Sequence, residues 1–146
     1  MSLDYADQTI FPIIGTKSGT TRTAVTLTAA YDVTANTKIF ATGGMSKLNL
    51  DVLYTMGASE TSNSIELRVS GSPDGTNFYR IPNEAVSAGT STLTAREFTF
   101  VGANAAAATI SIGLDIFYKY MEVSIKETGV ATNYGTVYVE GTLSGR

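Results

Sequence analysis

Strict alternation of apolar and polar side chains is the feature that most constrains the fold of this chain. One side of the segment 46–56 carries the apolar residues Leu48, Leu50, Val52, Tyr54 and Met56. The residues between them are mostly polar. A repeat of two matches the pleat of a β-strand, in which successive side chains point to opposite faces. The segment therefore predicts a strand with one buried face.

The same alternation recurs along most of the chain, with turn residues between the segments and no helical periodicity. The other clear strand segments are 65–69, 110–116, 121–125 and 137–143, and weaker candidates are 25–29, 38–42 and 93–101. The alanine-rich stretch 102–108 is too short for a stable isolated helix and is interpreted as a loop or a single helical turn. Short strands at this spacing predict an all-β fold, a single antiparallel β-sandwich of jelly-roll type with about eight or nine strands.

The composition agrees with a sheet protein that presents an uncharged surface. The chain has 146 residues, of which 22 are threonine and only 3 are proline, and branched side chains such as threonine suit a pleated surface. Charged residues make up 16%, so much of the surface must be Thr, Ser, Asn and Gly. With no cysteine, the fold must depend on packing and sheet hydrogen bonds.

The first 22 residues differ from the rest, and we interpret 1–22 as an extended N-terminal arm and 23–146 as the sandwich domain. An apolar cluster without alternation is followed by a polar tract at 15–21. The cluster consists of Ile10, Phe11, Pro12, Ile13 and Ile14. The arm could fold back over its own sandwich or cross to a neighbouring subunit. The five residues are therefore candidates for subunit or capsid binding.

Several classes of function are disfavoured by the residues that are missing. Without histidine or cysteine, the chain lacks the usual base and the usual nucleophile of enzymes, so we expect no catalysis, no cofactor and no zinc or iron site. A net charge of −3 disfavours nucleic acid as a partner, and neither a membrane span nor a basic signal peptide is indicated. We expect solvated carboxylates on polar strand faces, at Asp51, Glu66, Asp115 and Glu122.

One motif stands out, the turn sequence Ser72 to Tyr79. Pro73 presets the first corner, Asp74 can accept backbone N–H bonds, and Gly75 supplies positive φ before the chain returns as a strand over 78–81. The motif therefore predicts a hairpin turn. An alternative is a ligand loop in which Asp74, Asn77 and Tyr79 contact a sugar or a calcium ion.

This turn resembles a hairpin, S-x-D-G-x-x-aromatic, that occurs in small β-sandwich proteins of tailed bacteriophages and in discoidin-like carbohydrate-binding domains. It is also similar to a shortened Asp-box. The segments 118–126 and 135–139 resemble the strand pair that closes such phage sandwiches. The resemblance covers residues 48 to 143, roughly, and its motifs describe turns and strands, so it concerns the fold more than the role.

The phage resemblance implies a capsid decoration protein that binds the major capsid protein on the outside of a head, is commonly a homotrimer, and is made in the host cytoplasm. A tail, baseplate or head-fibre component would have a similar sequence. The alternative is a carbohydrate-binding module, with Tyr79, Tyr134 or Tyr138 as stacking residues. Sugar sites often use tryptophan, which this chain lacks, so the virion role is favoured.

Overall fold

The computed structural model describes residues 8–81, 96–101 and 107–145, and in this part of the chain it contains twelve strands. The strands are β1 (Thr9–Ile14), β2 (Thr16–Ser18), β3 (Thr21–Thr23), β4 (Val25–Thr26), β5 (Thr37–Ala41), β6 (Lys47–Thr55), β7 (Ser62–Ser72), β8 (Tyr79–Arg80), β9 (Arg96–Val101), β10 (Ala107–Asp115), β11 (Tyr120–Thr128) and β12 (Thr136–Ser144). A single 3₁₀ turn, Thr34–Asn36, precedes β5.

The first sheet is antiparallel and has the order β1-β12-β6-β10. Strand β12 pairs with β6 along its whole length, from Thr136 opposite Thr55 to Ser144 opposite Lys47. Its other edge is shared, since β1 pairs with residues 139–143 and β4 pairs with 136–137. The chain between β1 and β4 leaves the sheet as the separate hairpin β2–β3.

The second sheet is also antiparallel and has the order β5-β11-β7-β8. Strand β11 lies between β5 and β7. The outer edge of β7 is divided between two strands, with β8 opposite residues 70–71 and β9 opposite residues 62–67. The predicted hairpin from 65–69 through the turn to the return strand is confirmed by the β7–β8 pair, although the return strand itself spans only Tyr79–Arg80.

The core lies between the two sheets and follows the predicted alternation. In β6 and just after it, the five predicted apolar residues from Leu48 to Met56 are at most 1% exposed. Strand β11 supplies Met121, Val123 and Ile125, all 0% exposed, from the opposite sheet. Each Å² of apolar surface that these two rows remove from water stabilises the fold by about 25 cal/mol. The all-β sandwich prediction is confirmed.

Two sequence-based expectations are wrong, one about strand pairing and one about the start of β10. The strands β10, β11 and β12 follow one another in the chain but alternate between sheets, so 118–126 and 135–139 do not form the expected strand pair. Ala107 and Ala108 belong to β10 instead of a loop or helical turn. The predictions at 93–95 and 102–106 lie outside the described residues.

The apolar cluster of the expected arm forms strand β1. Ile13 and Ile14 are 3% and 1% exposed, and both belong to the protomer's own core. The register with β12 shifts between Pro12 and Ile14. Such a bulge lets neighbouring residues point to one face, which explains why the cluster shows no alternation. For Ile13 and Ile14, the structure therefore agrees with the alternative in which the segment folds back over its own sandwich. Residues 1–7 lie outside the described chain.

Candidate functional site

The turn at 72–77 is held together by its own hydrogen bonds. Asp74 Oδ1 accepts hydrogen bonds from the backbone N–H of Thr76 and Asn77, each at 2.8 Å, and Asp74 Oδ2 accepts one from Asn77 Nδ2 at 2.7 Å. The Gly75 N–H donates to Ser72 Oγ at 2.9 Å. These hydrogen bonds hold the pKa of Asp74 far below its ordinary value, and the bond from the Asn77 N–H has the largest effect. Both oxygens of this carboxylate are therefore engaged within the turn.

The structure provides only part of the geometry that the ligand-loop hypothesis requires. The structure brings Asp74 and Asn77 together, as the hypothesis requires, but through a bond between their own side chains. Tyr79 is 56% exposed on β8, and Tyr134 is 39% exposed, whereas Tyr138 is only 2% exposed and cannot offer a stacking face. Within the described residues, no group of three or more acidic side chains could hold a metal ion.

Gly75 is expected to be the most sensitive position of this turn. It has φ of 79°, and a β-carbon there would lie 3.4 Å from the Tyr120 ring. Gly75→Val should lower the free energy of unfolding by roughly 1 to 3 kcal/mol, because a branched residue is strained in this region. Urea denaturation followed by circular dichroism measures the loss. Thr76→Val is the matched control, and an equal loss in the control would refute the turn-strain explanation.

The N-terminal cluster divides into buried and exposed members. The Phe11 ring packs edge-on against Phe40 of β5, with ring centroids 5.1 Å apart, so this contact closes the flank between the two sheets. Their chain neighbours Ile10 and Ile39 are 58% and 49% exposed. Because Phe11 and Phe40 point inward between the sheets, Ile10 lies on the outer face of the first sheet and Ile39 on the outer face of the second. We call this edge of the sandwich, with Ile10, Phe11, Ile39 and Phe40, the β1–β5 flank. Ile13 and Ile14 are not on it, and Pro12 is half-buried.

The hairpin β2–β3 covers part of the outer face of the first sheet. Glu140 of β12 accepts hydrogen bonds from Lys17 at 2.8 Å and from Arg22 at 3.1 Å, and Arg22 also lies 5.6 Å from the centre of the Tyr138 ring. The Lys17 hydrogen bond is the main cause that lowers the pKa of Glu140. Tyr138 and Glu140 are consequently buried, although alternation places them on the solvent side.

Two further buried carboxylates fasten the loops at the opposite end of the sandwich from the turn. Glu60 is 2% exposed and accepts backbone N–H bonds from Ala131, Thr132 and Asn133 at 2.7 to 2.9 Å. Hydrogen bonds from these amides lower the pKa of Glu60, and the bond from Ala131 has the largest effect. Such a carboxylate is a fixed loop anchor, because its charge is already compensated.

Glu127 is the most deeply buried charged side chain of the described residues, at 0% exposed. Its Oε1 accepts hydrogen bonds from the Tyr54 hydroxyl and from Asn63 Nδ2 at 2.9 Å, and its Oε2 accepts one from the Gly135 N–H at 2.6 Å. Burial and this carboxylate raise the pKa of Tyr54 well above its ordinary value. The network joins both sheets, since Tyr54 lies on β6 and Glu127 lies on β11.

The four carboxylates predicted on polar strand faces do not converge. Asp51 and Asp115 lie on strands of the first sheet, whereas Glu66 and Glu122 lie on strands of the second. Three have cationic partners: Lys47 for Asp115, Lys126 for Glu66 at 2.9 Å, and Arg68 for Glu122 at 3.7 Å. Burial raises the pKa of Glu122. Asp115 is exposed, as expected, whereas Asp51, Glu66 and Glu122 are half-buried, so plain solvation describes only one of the four.

Sequence reasoning missed Glu60, Glu127 and Glu140, the three buried carboxylates. Glu127 had a signal, since it continues the inward row of Met121, Val123 and Ile125 at the same spacing of two. The sequence contained no signal for the burial of Glu140, because that burial depends on a hairpin that is distant in sequence.

No helix in the described part of the chain is long and apolar enough to cross a membrane.

No protein-family model and no curated protein sequence matches this chain. Among solved structures, it aligns with dimeric latent PorU from Porphyromonas gingivalis at 10% identity and a TM-score of 0.40, over 94% of this chain and 12% of that one. It also aligns with the structure of infectious bursal disease virus Gx strain at 11% identity and a TM-score of 0.26, over 94% of this chain and 42% of that one. Similarities at this level assign neither a family nor a function.

Proposed function

We propose that this chain is a non-enzymatic structural protein that attaches to a larger assembly, and specifically a decoration protein on the outside of a phage capsid. The observation that carries the proposal is the β1–β5 flank. It leaves Ile10 58% exposed and Ile39 49% exposed, one on each outer face of the sandwich, with the Phe11–Phe40 contact between them. Exposed apolar groups on both sides of a packed edge are suited to bury against a partner that encloses this edge.

The electrostatics of the described residues support a passive role. The carboxylates of Glu60, Asp74 and Glu140 have pKa values below their ordinary range, because hydrogen bonds stabilise their charged forms. A general acid or base needs a pKa near the working pH. Each of these groups is instead fastened in a structural contact, which suits a part that must stay rigid on a shell.

The β1–β5 flank gives a direct test by co-sedimentation with a panel of capsids assembled from the major capsid proteins of tailed phages. Wild-type protein should sediment with the capsids. The double variant Ile10→Asp/Ile39→Asp should bind at least about tenfold more weakly, because each buried isoleucine contributes about 1.5 to 3 kcal/mol before ordering costs.

Thr20→Asp/Thr21→Asp, on the exposed tip of the β2–β3 hairpin, is the matched control, and it should bind like wild type. If wild-type protein does not sediment with capsids, the decoration role is refuted. If the flank variant binds as tightly as wild type, the flank is not the attachment surface.

A further inference from the structure

Strand β10 forms one edge of the first sheet. It pairs with β6 without a register shift over nine residues, from Ala107 opposite Thr55 to Asp115 opposite Lys47. Within residues 8–81, 96–101 and 107–145, β6 is its only strand partner. A long, regular edge presents a row of N–H and C=O groups that can pair with another strand.

The edge strands β1, β5 and β8 carry features that block pairing, and β10 does not. Strand β1 has Pro12 and a bulge, β5 is five residues long with Lys38, and β8 is two residues long with Arg80. Strand β10 has no proline, no bulge and no charge before Asp115. Natural proteins protect edges with such features, so an edge without them indicates a partner strand.

The backbone direction of β10 can be inferred from the residue that follows it. The Ile116 N–H donates to the Ser46 carbonyl at 2.8 Å and so points toward β6. In an antiparallel pair this direction alternates along the strand. Thr109, Ser111 and Gly113 therefore direct their backbone groups to the open edge.

We propose that β10 pairs with β10 of a second copy of this chain, antiparallel about a two-fold axis at Ser111. This register overlaps all nine residues and places Ile110 opposite the partner's Ile112. It also places Asp115, the only charge of the strand, opposite an alanine, so no like charges meet. An edge that is uncharged over 107–114 fits itself better than it fits a charged peptide.

The surroundings of the edge agree with a covered surface. Ile112 and Leu114 are each 8% exposed, compared with 0 to 1% for the facing row in β6. A groove of about 480 Å³ runs between β10 and β8, and Phe117, 88% exposed, lies at its end. A second copy would bury these apolar groups. The inference concerns self-association in solution and does not depend on the proposed capsid role.

Light scattering after size-exclusion chromatography tests the pairing. Wild-type protein should have a mass of about 31 kDa, twice the 15.4 kDa of one chain. Ser111→Pro should give the monomer mass, because it removes the N–H at the two-fold axis, whereas Ser111→Ala should remain a dimer. A wild-type monomer, or the trimer that the phage resemblance implies, would overturn the proposal.

Cross-linking keeps the test valid even if Ser111→Pro fails to fold. The chain has no cysteine, so Ser111→Cys introduces a single thiol. Opposite β-carbons in such a pair lie about 4.5 to 5.5 Å apart, and a short bismaleimide should convert most of the protein to covalent dimer. Ser18→Cys, exposed on β2, should stay mainly monomeric. Equal cross-linking of the two variants would contradict pairing through β10.

Discussion

Glu127→Ala is expected to lower the free energy of unfolding by about 3 to 5 kcal/mol, the largest loss expected for a charged residue in the described part of the chain. The side chain is 0% exposed and accepts hydrogen bonds from Tyr54, Asn63 and the Gly135 backbone. Alanine would remove the carboxylate that these three buried donors share, and a buried donor that loses its acceptor costs about 1 to 3 kcal/mol. Urea denaturation followed by tyrosine fluorescence measures the loss.

Two variants show whether the loss comes from this network. Glu127→Gln keeps an acceptor oxygen and should lose less than the alanine variant. Glu66→Ala removes an ion pair with Lys126 on the outer face of the second sheet and should cost less than about 1 kcal/mol. If Glu127→Ala loses no more than Glu66→Ala, the buried network does not stabilise the sandwich.

Deleting residues 1–14 is expected to abolish cooperative folding at 25 °C. The deletion removes Ile13 and Ile14, which are 3% and 1% exposed, and it leaves residues 139–143 of β12 without their strand partner. Ile14→Ala alone should cost about 2 to 5 kcal/mol through the cavity that it creates. Circular dichroism and thermal melting measure both effects.

Ile10→Ala is the matched control, because it changes the same residue type in the same strand at a position that is 58% exposed. It should change stability by no more than about 0.5 kcal/mol. A truncated protein that still melts cooperatively near the wild-type temperature would show that β1 is dispensable. The segment would then act as the detachable arm that its sequence suggested.

Period-two alternation was sufficient to predict the central strands. It located β6, β7, β11 and β12 and their buried faces, because each of these strands has one face on the core. The same rule, carried one step further along β11, would also have placed Glu127 inside. The turn chemistry of Ser72 to Asn77 was similarly local, and positive φ at Gly75 is confirmed.

Features that depend on distant contacts could not be predicted. The bulge after Pro12 removes the alternation on which strand prediction depends, so β1 was interpreted as an arm. Tyr138 is buried by a hairpin more than 100 residues earlier in the chain, through contacts such as that of Arg22 with the Tyr138 ring. The distribution of β10, β11 and β12 between sheets is likewise set by partners that alternation does not identify.

The central position of β12 in its sheet has a consequence for synthesis on the ribosome. This strand lies between β6 and β1, and it pairs Val139 with both Val52 and Ile14. The β1 strand thus has no strand partner until β12, more than a hundred positions later in the chain, has been translated. Until residues 136–144 emerge from the exit tunnel, β1 and one edge of β6 are unpaired, and apolar strands exposed in this way are prone to aggregate. Nascent chains arrested before residue 136 should accordingly be substrates for ribosome-associated chaperones.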